Sequence, residues 1–181
     1  VVEGVPSGLP VTAAGINADL IRRPGGYGRG GRMRIEKDRI EFMCGVRKGL
    51  TLGNPLGLMI WNKDWENWKD IMASEPGPPA TERVVTRPRP GHADLVGAIK
   101  YGHRDIRNVL EKASARETAI RVAIGGIAKA LLAQFDMQVV SYTMNIGAVA
   151  APCPSDPLAA YQEAEQSDVR CHDSEPAKKM I

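Results

Sequence analysis

Aromatic residues are few in this 181-residue chain: four Tyr, three Trp and two Phe. A surface for single-stranded nucleic acid interleaves several rings with its cations, yet the most basic stretch here holds one, Tyr27. An excess of one charge is also lacking. Twenty-four Lys and Arg against 21 Asp and Glu leave a formal net charge of +3, which makes no case for a polyanionic partner. The three cysteines, Cys44, Cys153 and Cys171, are far apart and form no Cys-x-x-Cys pair. That argues against a disulfide framework or a zinc knuckle and suits a reducing cytoplasm. The longest apolar stretch, residues 118–135, is interrupted by Arg121 and Lys129, so no membrane span is expected. No charged-then-apolar leader opens the chain. The motifs His-Glu-x-x-His and Gly-x-Ser-x-Gly are missing, as is the Walker-type phosphate loop. His103 and His172 have no neighbour at metal-ligand spacing, and no metal is predicted. An initiator Met is missing too, since Val1 comes first, so a processed or partial chain is expected.

What remains is an ordinary globular balance, 43% apolar and 25% charged, punctuated by 19 Gly and 13 Pro. Thr12 is placed to cap a helix over 12–23 whose Ile16, Leu20 and Ile21 share a face. Pro24 and the glycines behind it stop that helix. Residues 33–36 and 39–43 alternate apolar and polar about Lys37-Asp38, the pattern of a hairpin. A further strand is predicted at Leu56–Trp61. Asp64 is predicted to cap a helix carrying Trp65, Trp68 and Met72, with the tryptophans serving core or subunit contact. Residues 74–91, with five prolines, read as a long internal loop. The best helix spans 114–135. Ile120, Ile124, Ile127 and Leu131 keep helical spacing and Ala119, Ala123 and Ala128 widen the apolar surface, implying a buried helix. Gly125-Gly126 imply that another backbone packs close. A strand at Val139–Met144 and a helix at Leu158–Glu165 complete a mixed α+β or α/β pattern.

Three constellations point to chemistry. Residues 22–34 carry five arginines around the loop Gly25-Gly26-Tyr27-Gly28-Arg29-Gly30-Gly31. Its Gly-x-Gly-x-x-Gly lacks the strand before and helix after that a dinucleotide site requires. Glycine instead lets backbone approach a ligand, and guanidinium forks suit phosphate and carboxylate. The second constellation is Arg89-Pro90-Gly91-His92-Ala93-Asp94, where a stiff loop fixes Arg89 against His92. His92 beside an anionic substrate is a candidate general acid, and Asp94 either orients its ring or opens the next turn. The third is Ser114-Ala115-Arg116-Glu117, a capping box whose helix N-terminus also favours anions, with Lys112 adjacent. Together they suggest a phosphorylated, carboxylated small molecule but name no reaction.

At these residues the chain resembles the chorismate synthase family. The matching segments are Glu3–Leu9, residues 22–38, Cys44-Gly45-Val46, residues 62–68 and 89–94, Lys100-Tyr101 and residues 114–123, in order and nearly spanning the chain. The resemblance implies a layered β/α/α/β sandwich in the α+β class, here only part of it, with 1–181 as one partial domain. It implies anti-1,4-elimination of phosphate from 5-enolpyruvylshikimate 3-phosphate to give chorismate. It further implies a phosphate lyase of aromatic amino acid biosynthesis that needs reduced FMN, with NADPH as reductant in some members. Carried over by position, Arg23, Arg29, Arg89 and Arg116 bind substrate, His92 is catalytic, and Lys112, Ala113 and Ser114 contact the flavin. The family pattern at the last three is Arg-Ser-Ser, so Lys112 keeps charge without the fork and Ala113 lacks a hydroxyl. Cys44 stands where a Ser is usual.

The resemblance also implies a homotetramer at full length, expected in the cytoplasm, and from the composition and spacing above no nucleic-acid partner, membrane partner or metal is expected. Family members start earlier, with a segment carrying a first catalytic histidine, and run well past Ile181. This chain is therefore expected to be inactive alone, and to self-associate through the exposed apolar face of the 114–135 helix. The competing readings are a basic-loop RNA-binding module and a non-catalytic structural remnant.

Overall fold

The computed structural model describes residues 1–29, 37–78, 81–113 and 115–181, with the side chains at 115 and 116 outside that description. The hairpin arm expected at 33–36 lies outside these residues, as does Ser114 of the capping box.

Helix α1, Ala13–Arg22, starts where Thr12 turns extended and its Oγ1 accepts the Gly15 N–H at 3.1 Å. Ile16 and Leu20 are buried, whereas Ile21 is exposed, so the apolar stripe is narrower than the sequence suggests. Strand β1, Ile40–Cys44, is tied to α1 by its Ile40 N–H, which donates to Asn17 Oδ1 at 2.8 Å. Two short strands follow, β2 at Val46–Arg47 and β3 at Leu50–Thr51. They join through Lys48-Gly49, both at positive φ, as a two-residue turn of the type I′ kind demands. Strand β4, Gly57–Ile60, pairs antiparallel with β1, setting Ile40 opposite Ile60 and Phe42 opposite Leu58.

Helices α2, Asp94–Tyr101, and α3, Arg107–Leu110, pack so closely that a Cβ at Gly97 would fall 2.4 Å from Val109 Cγ1. Helix α4, Ala115–Ala133, crosses α1. Their shared core joins Ile16 and Leu20 to Ala119, Ala123 and Ile127, and closes on Ile40 and Leu56. Lys129 Nζ reaches the Asp19 carboxylate at 2.9 Å across the same junction. Contrary to the expectation of a buried helix, α4 buries one stripe, and Ile124 on another face is 39% exposed.

A second, smaller cluster of Ala151, Cys171, Ala177 and Met180 lies among the C-terminal elements. These are the hairpin β5, Asn145–Ile146, with β6, Val149–Ala150, and helices α5, Pro157–Ala164, and α6, Ser174–Met180. Helix α6 was not anticipated, although Asp173 caps it in the ordinary way by accepting the Glu175 N–H. The mixture of helices with small antiparallel sheets is α+β.

Two predicted elements are corrected. Val139–Met144 has strand-forming side chains but pairs with no strand among the described residues. Its Thr143 N–H donates instead to the Arg170 carbonyl at 2.7 Å. After Asp64 there is a single 3₁₀ turn, Trp65–Asn67, rather than an α-helix. The Asp64 carboxylate is drawn off to Trp68 Nε1 and Asn67 Nδ2, each at 2.8 Å, and makes no backbone cap. Trp61 and Trp65 are exposed, so neither belongs to the core. Trp68 is gripped between the guanidiniums of Arg83 and Arg107, each 4.7 Å from its ring centre. Those two arginines fasten the proline-rich loop to α3.

Candidate active site

The loop preceding α2 brings three chemical groups together within six residues. Asp94, the first residue of α2, is fully buried. Its Oδ2 accepts the Arg89 backbone N–H at 3.0 Å and Arg89 Nε at 2.9 Å. Its Oδ1 lies 3.0 Å from Arg89 Nη2 and 2.7 Å from His92 Nδ1. The Arg89 guanidinium bonds hold the Asp94 carboxyl well below the usual carboxylate range against the opposing effect of burial, and the Arg89 N–H and His92 add to them. Asp94 raises Arg89 in turn, mainly through the same side-chain bonds. Arg89 remains about half exposed and His92 about one third, so a buried anion anchors two groups that reach solvent. The sequence left two roles open for Asp94, and the 2.7 Å contact favours the one that orients the ring.

The glycine-rich loop is built differently. Gly26 has φ +105°, and a Cβ there would meet the Asp168 carbonyl at 2.9 Å. The next N–H, from Tyr27, donates to that carbonyl at 2.9 Å. The loop is thereby seated on the segment after α5, where Glu165 accepts from both Arg22 and Arg170. Arg23 is nearly buried and pairs with the equally buried Asp38 at 3.1 Å. Arg29 is exposed, and its Nε folds back onto the Gly25 carbonyl at 3.1 Å. Two cavities flank this loop. One, of about 470 Å³, is walled by Arg22, Tyr27, Arg29 and Arg170. The other, of about 560 Å³, is walled by Leu20, Lys37, Asp38, Arg39 and Trp61. Residues 89–94 line neither, so the described residues do not by themselves join the two arginine loops at one cavity.

At the third constellation, Lys112 sets its Nζ 4.0 Å above the Tyr101 ring, and Lys100 approaches the same ring at 5.3 Å. Two ammonium groups around one exposed phenol ring gather positive charge on this face. The Ala113 N–H is already spent on the Val109 and Leu110 carbonyls. Ser114 and the Arg116 side chain lie outside the described residues. No group of three or more His, Cys, Asp or Glu able to hold a metal is found among the described residues. Nor is any described helix long and apolar enough to cross a membrane.

Sequence reasoning missed Asp38 as the partner of Arg23 and the Glu165 bridge between Arg22 and Arg170. Both pairings depend on tertiary placement, which no local or periodic signal in the sequence reveals.

The chorismate synthase family model matches residues 1–181. The chorismate synthase of Symbiobacterium thermophilum is 51% identical over 188 residues, covering 100% of this chain and 48% of the relative. That of Moorella thermoacetica is 53% identical over 182 residues, covering 100% and 47%. A crystal structure of chorismate synthase superposes with a TM-score of 0.72 at 35% identity, covering 98% of this chain and 45% of the other. The chain thus spans about half the length of the relatives it matches, and it belongs to the chorismate synthase family.

Proposed function

We propose that residues 1–181 supply, as one partial domain, the Arg89–His92 portion of a chorismate synthase active site. The reaction is anti-1,4-elimination of phosphate from 5-enolpyruvylshikimate 3-phosphate, giving chorismate. In it the C6 proton and the C3 phosphate leave, and a second ring double bond forms. The match of the family model along the whole chain carries this reading.

The local chemistry fits the reaction. A departing phosphate gains negative charge, and His92 is the group here able to protonate it, which contributes typically 10²–10⁴-fold for a positioned acid. Arg89 shares Asp94 with His92 and keeps a solvent-facing edge for a substrate anion. Arg23 and Arg29 of the glycine-rich loop, together with Arg116, take the remaining anionic groups of the substrate. Lys112, with Ala113 and Ser114, holds the flavin. Reduced FMN held there would supply transient electron density to the reacting ring. The active assembly is a cytoplasmic homotetramer that includes the rest of the family's length.

A graft tests this. The matching half of the Symbiobacterium thermophilum enzyme is replaced by residues 1–181, and phosphate release is measured anaerobically with reduced FMN. The expected result is turnover that falls by about 10²-fold or more in His92→Asn. A graft that folds and binds FMN yet releases no phosphate overturns the reading, as does one indifferent to His92→Asn.

A further inference from the structure

His92 Nδ1 faces two groups with opposite demands. Asp94 Oδ1 stands 2.7 Å away and, as an ionised carboxylate, only accepts. Arg89 Nη2 stands 3.0 Å away and only donates. A single ring nitrogen cannot satisfy both. Were Nδ1 bare, its lone pair would point, at hydrogen-bond distance, at a carboxylate oxygen of the fully buried Asp94. Were Nδ1 protonated, Oδ1 would receive that hydrogen, and Arg89 Nη2 would give its own to Oδ1 at 3.0 Å, where it already lies. Only the second arrangement leaves every partner satisfied. Among the described residues Nε2 has no hydrogen-bond partner, so nothing competes at the other side of the ring.

We infer that Asp94 is a positioning residue which locks His92 as the Nδ1–H tautomer and keeps Nε2 as the working nitrogen. This rests on the elimination reading of the site and adds to it the identity of the proton-bearing atom. The proton count closes. An imidazolium carries hydrogen on both nitrogens, and passing the Nε2 proton to a phosphate oxygen leaves the neutral Nδ1–H ring. That is the tautomer the carboxylate already holds, so no ring flip follows the transfer. The side-on pairing with the carboxylate uses Nε–H and one Nη2–H of Arg89, which leaves the Nη1 hydrogens and the second Nη2 hydrogen able to meet a substrate anion.

The test reads the tautomer directly, by long-range ¹H–¹⁵N correlation of the imidazole rings in the uniformly labelled 181-residue chain. Loss of one ring system in His92→Gln identifies the His92 signals. The expected pattern at a pH where the ring is neutral is Nδ1 protonated and Nε2 bare, opposite to the preference of free histidine. Asp94→Asn keeps the shape but not the chemistry. Its amide oxygen must face the two Arg89 donors now on Oδ2, which turns its NH₂ toward His92 Nδ1 and inverts the tautomer. A wild-type ring in the Nε2–H form overturns the inference, and so does an Nδ1–H ring that survives Asp94→Asn. If that variant does not fold, the wild-type spectrum alone decides. In the graft, Asp94→Asn should lower kcat by about 10²-fold or more with little change in KM, as expected when an orienting carboxylate is lost and the wrong tautomer results. The tautomer needs no turnover to be seen, so this inference and the elimination reading fail separately.

Discussion

Gly125 and Gly126 are adjacent in α4, and substituting each by alanine should have opposite consequences. In a helix interior, glycine costs about 1 kcal/mol relative to alanine, so either substitution gains that much from propensity. At Gly125 nothing lies within 4 Å of the added Cβ, and the gain is kept. At Gly126 the Cβ would sit 3.0 Å from Ile16 Cγ1, 3.2 Å from Cγ2 and 3.3 Å from Cα. The side-chain atoms can yield by rotation, but the Cα cannot move without shifting α1. Overpacking of this kind costs about 1–3 kcal/mol, which offsets or exceeds the propensity gain. Gly125→Ala should therefore stabilise by about 1 kcal/mol, and Gly126→Ala should range from neutral to about 2 kcal/mol destabilised. Thermal unfolding followed by far-ultraviolet circular dichroism resolves the difference. One kcal/mol moves Tm by about 2–4 °C in a chain of this size. Equal stabilisation by the two substitutions would refute the α1–α4 packing, because that packing alone distinguishes the two positions.

Two further outcomes test the core and the seat of the glycine-rich loop. Leu20→Ala removes a side chain that is 1% exposed and should cost about 2–5 kcal/mol in urea unfolding. Its neighbour Ile21→Ala, at 60% exposure, should stay within about 0.5 kcal/mol. Glu165→Gln weakens the bridge between Arg22 and Arg170 and should cost about 1 kcal/mol, since the pair is only partly buried. Burial would raise the Glu165 carboxyl, but Arg170 and Arg22 together hold it below its ordinary 4.5. A folded value below the unfolded one gives stability that is complete above about pH 4.5 and is lost as pH falls through the folded value. The acid limb of the stability profile should accordingly be shallower in Glu165→Gln, and an unchanged limb would remove Glu165 from the account.

Elements defined by local chemistry were the legible ones. Thr12 and Pro24 bracket α1 because a cap and a stop act within one turn of themselves. The close approach read from Gly125-Gly126 is real at one of the two. Successive helical residues point about 100° apart, so a single neighbouring helix can meet only one of an adjacent pair. The error at Val139–Met144 has the complementary cause. Strand propensity states that a segment fits a pleated surface, and no partner strand is present there among the described residues. Trp65 and Trp68 kept helical spacing, yet the Asp64 carboxylate prefers the indole and amide N–H groups to the backbone it was expected to cap.

The same distinction explains why the Arg89 site could be read from sequence while the seat of the glycine-rich loop could not. Arg89 precedes a proline, which biases it toward extended backbone and leaves its own N–H free of any helix. Pro90 contributes no donor of its own, so the N–H groups available in this stretch belong to Arg89, Gly91, His92 and Ala93. Gly91 then takes φ +67°, reversing the chain so that His92 and Asp94 return to the arginine that preceded them. Each step uses a property of one residue and a contact no more than five positions away. A site assembled so locally needs little from the rest of the fold except the burial of Asp94, which the start of α2 provides. Arg23, by contrast, finds Asp38 fifteen positions on, and Arg22 finds Glu165 across 143. Those pairings exist only once α1, the strands and the C-terminal helices have taken their places. The arrangement at Arg89, His92 and Asp94 should therefore persist in variants that loosen the α1–α4 core, such as Gly126→Ala, whereas the seat of Tyr27 on Asp168 should not.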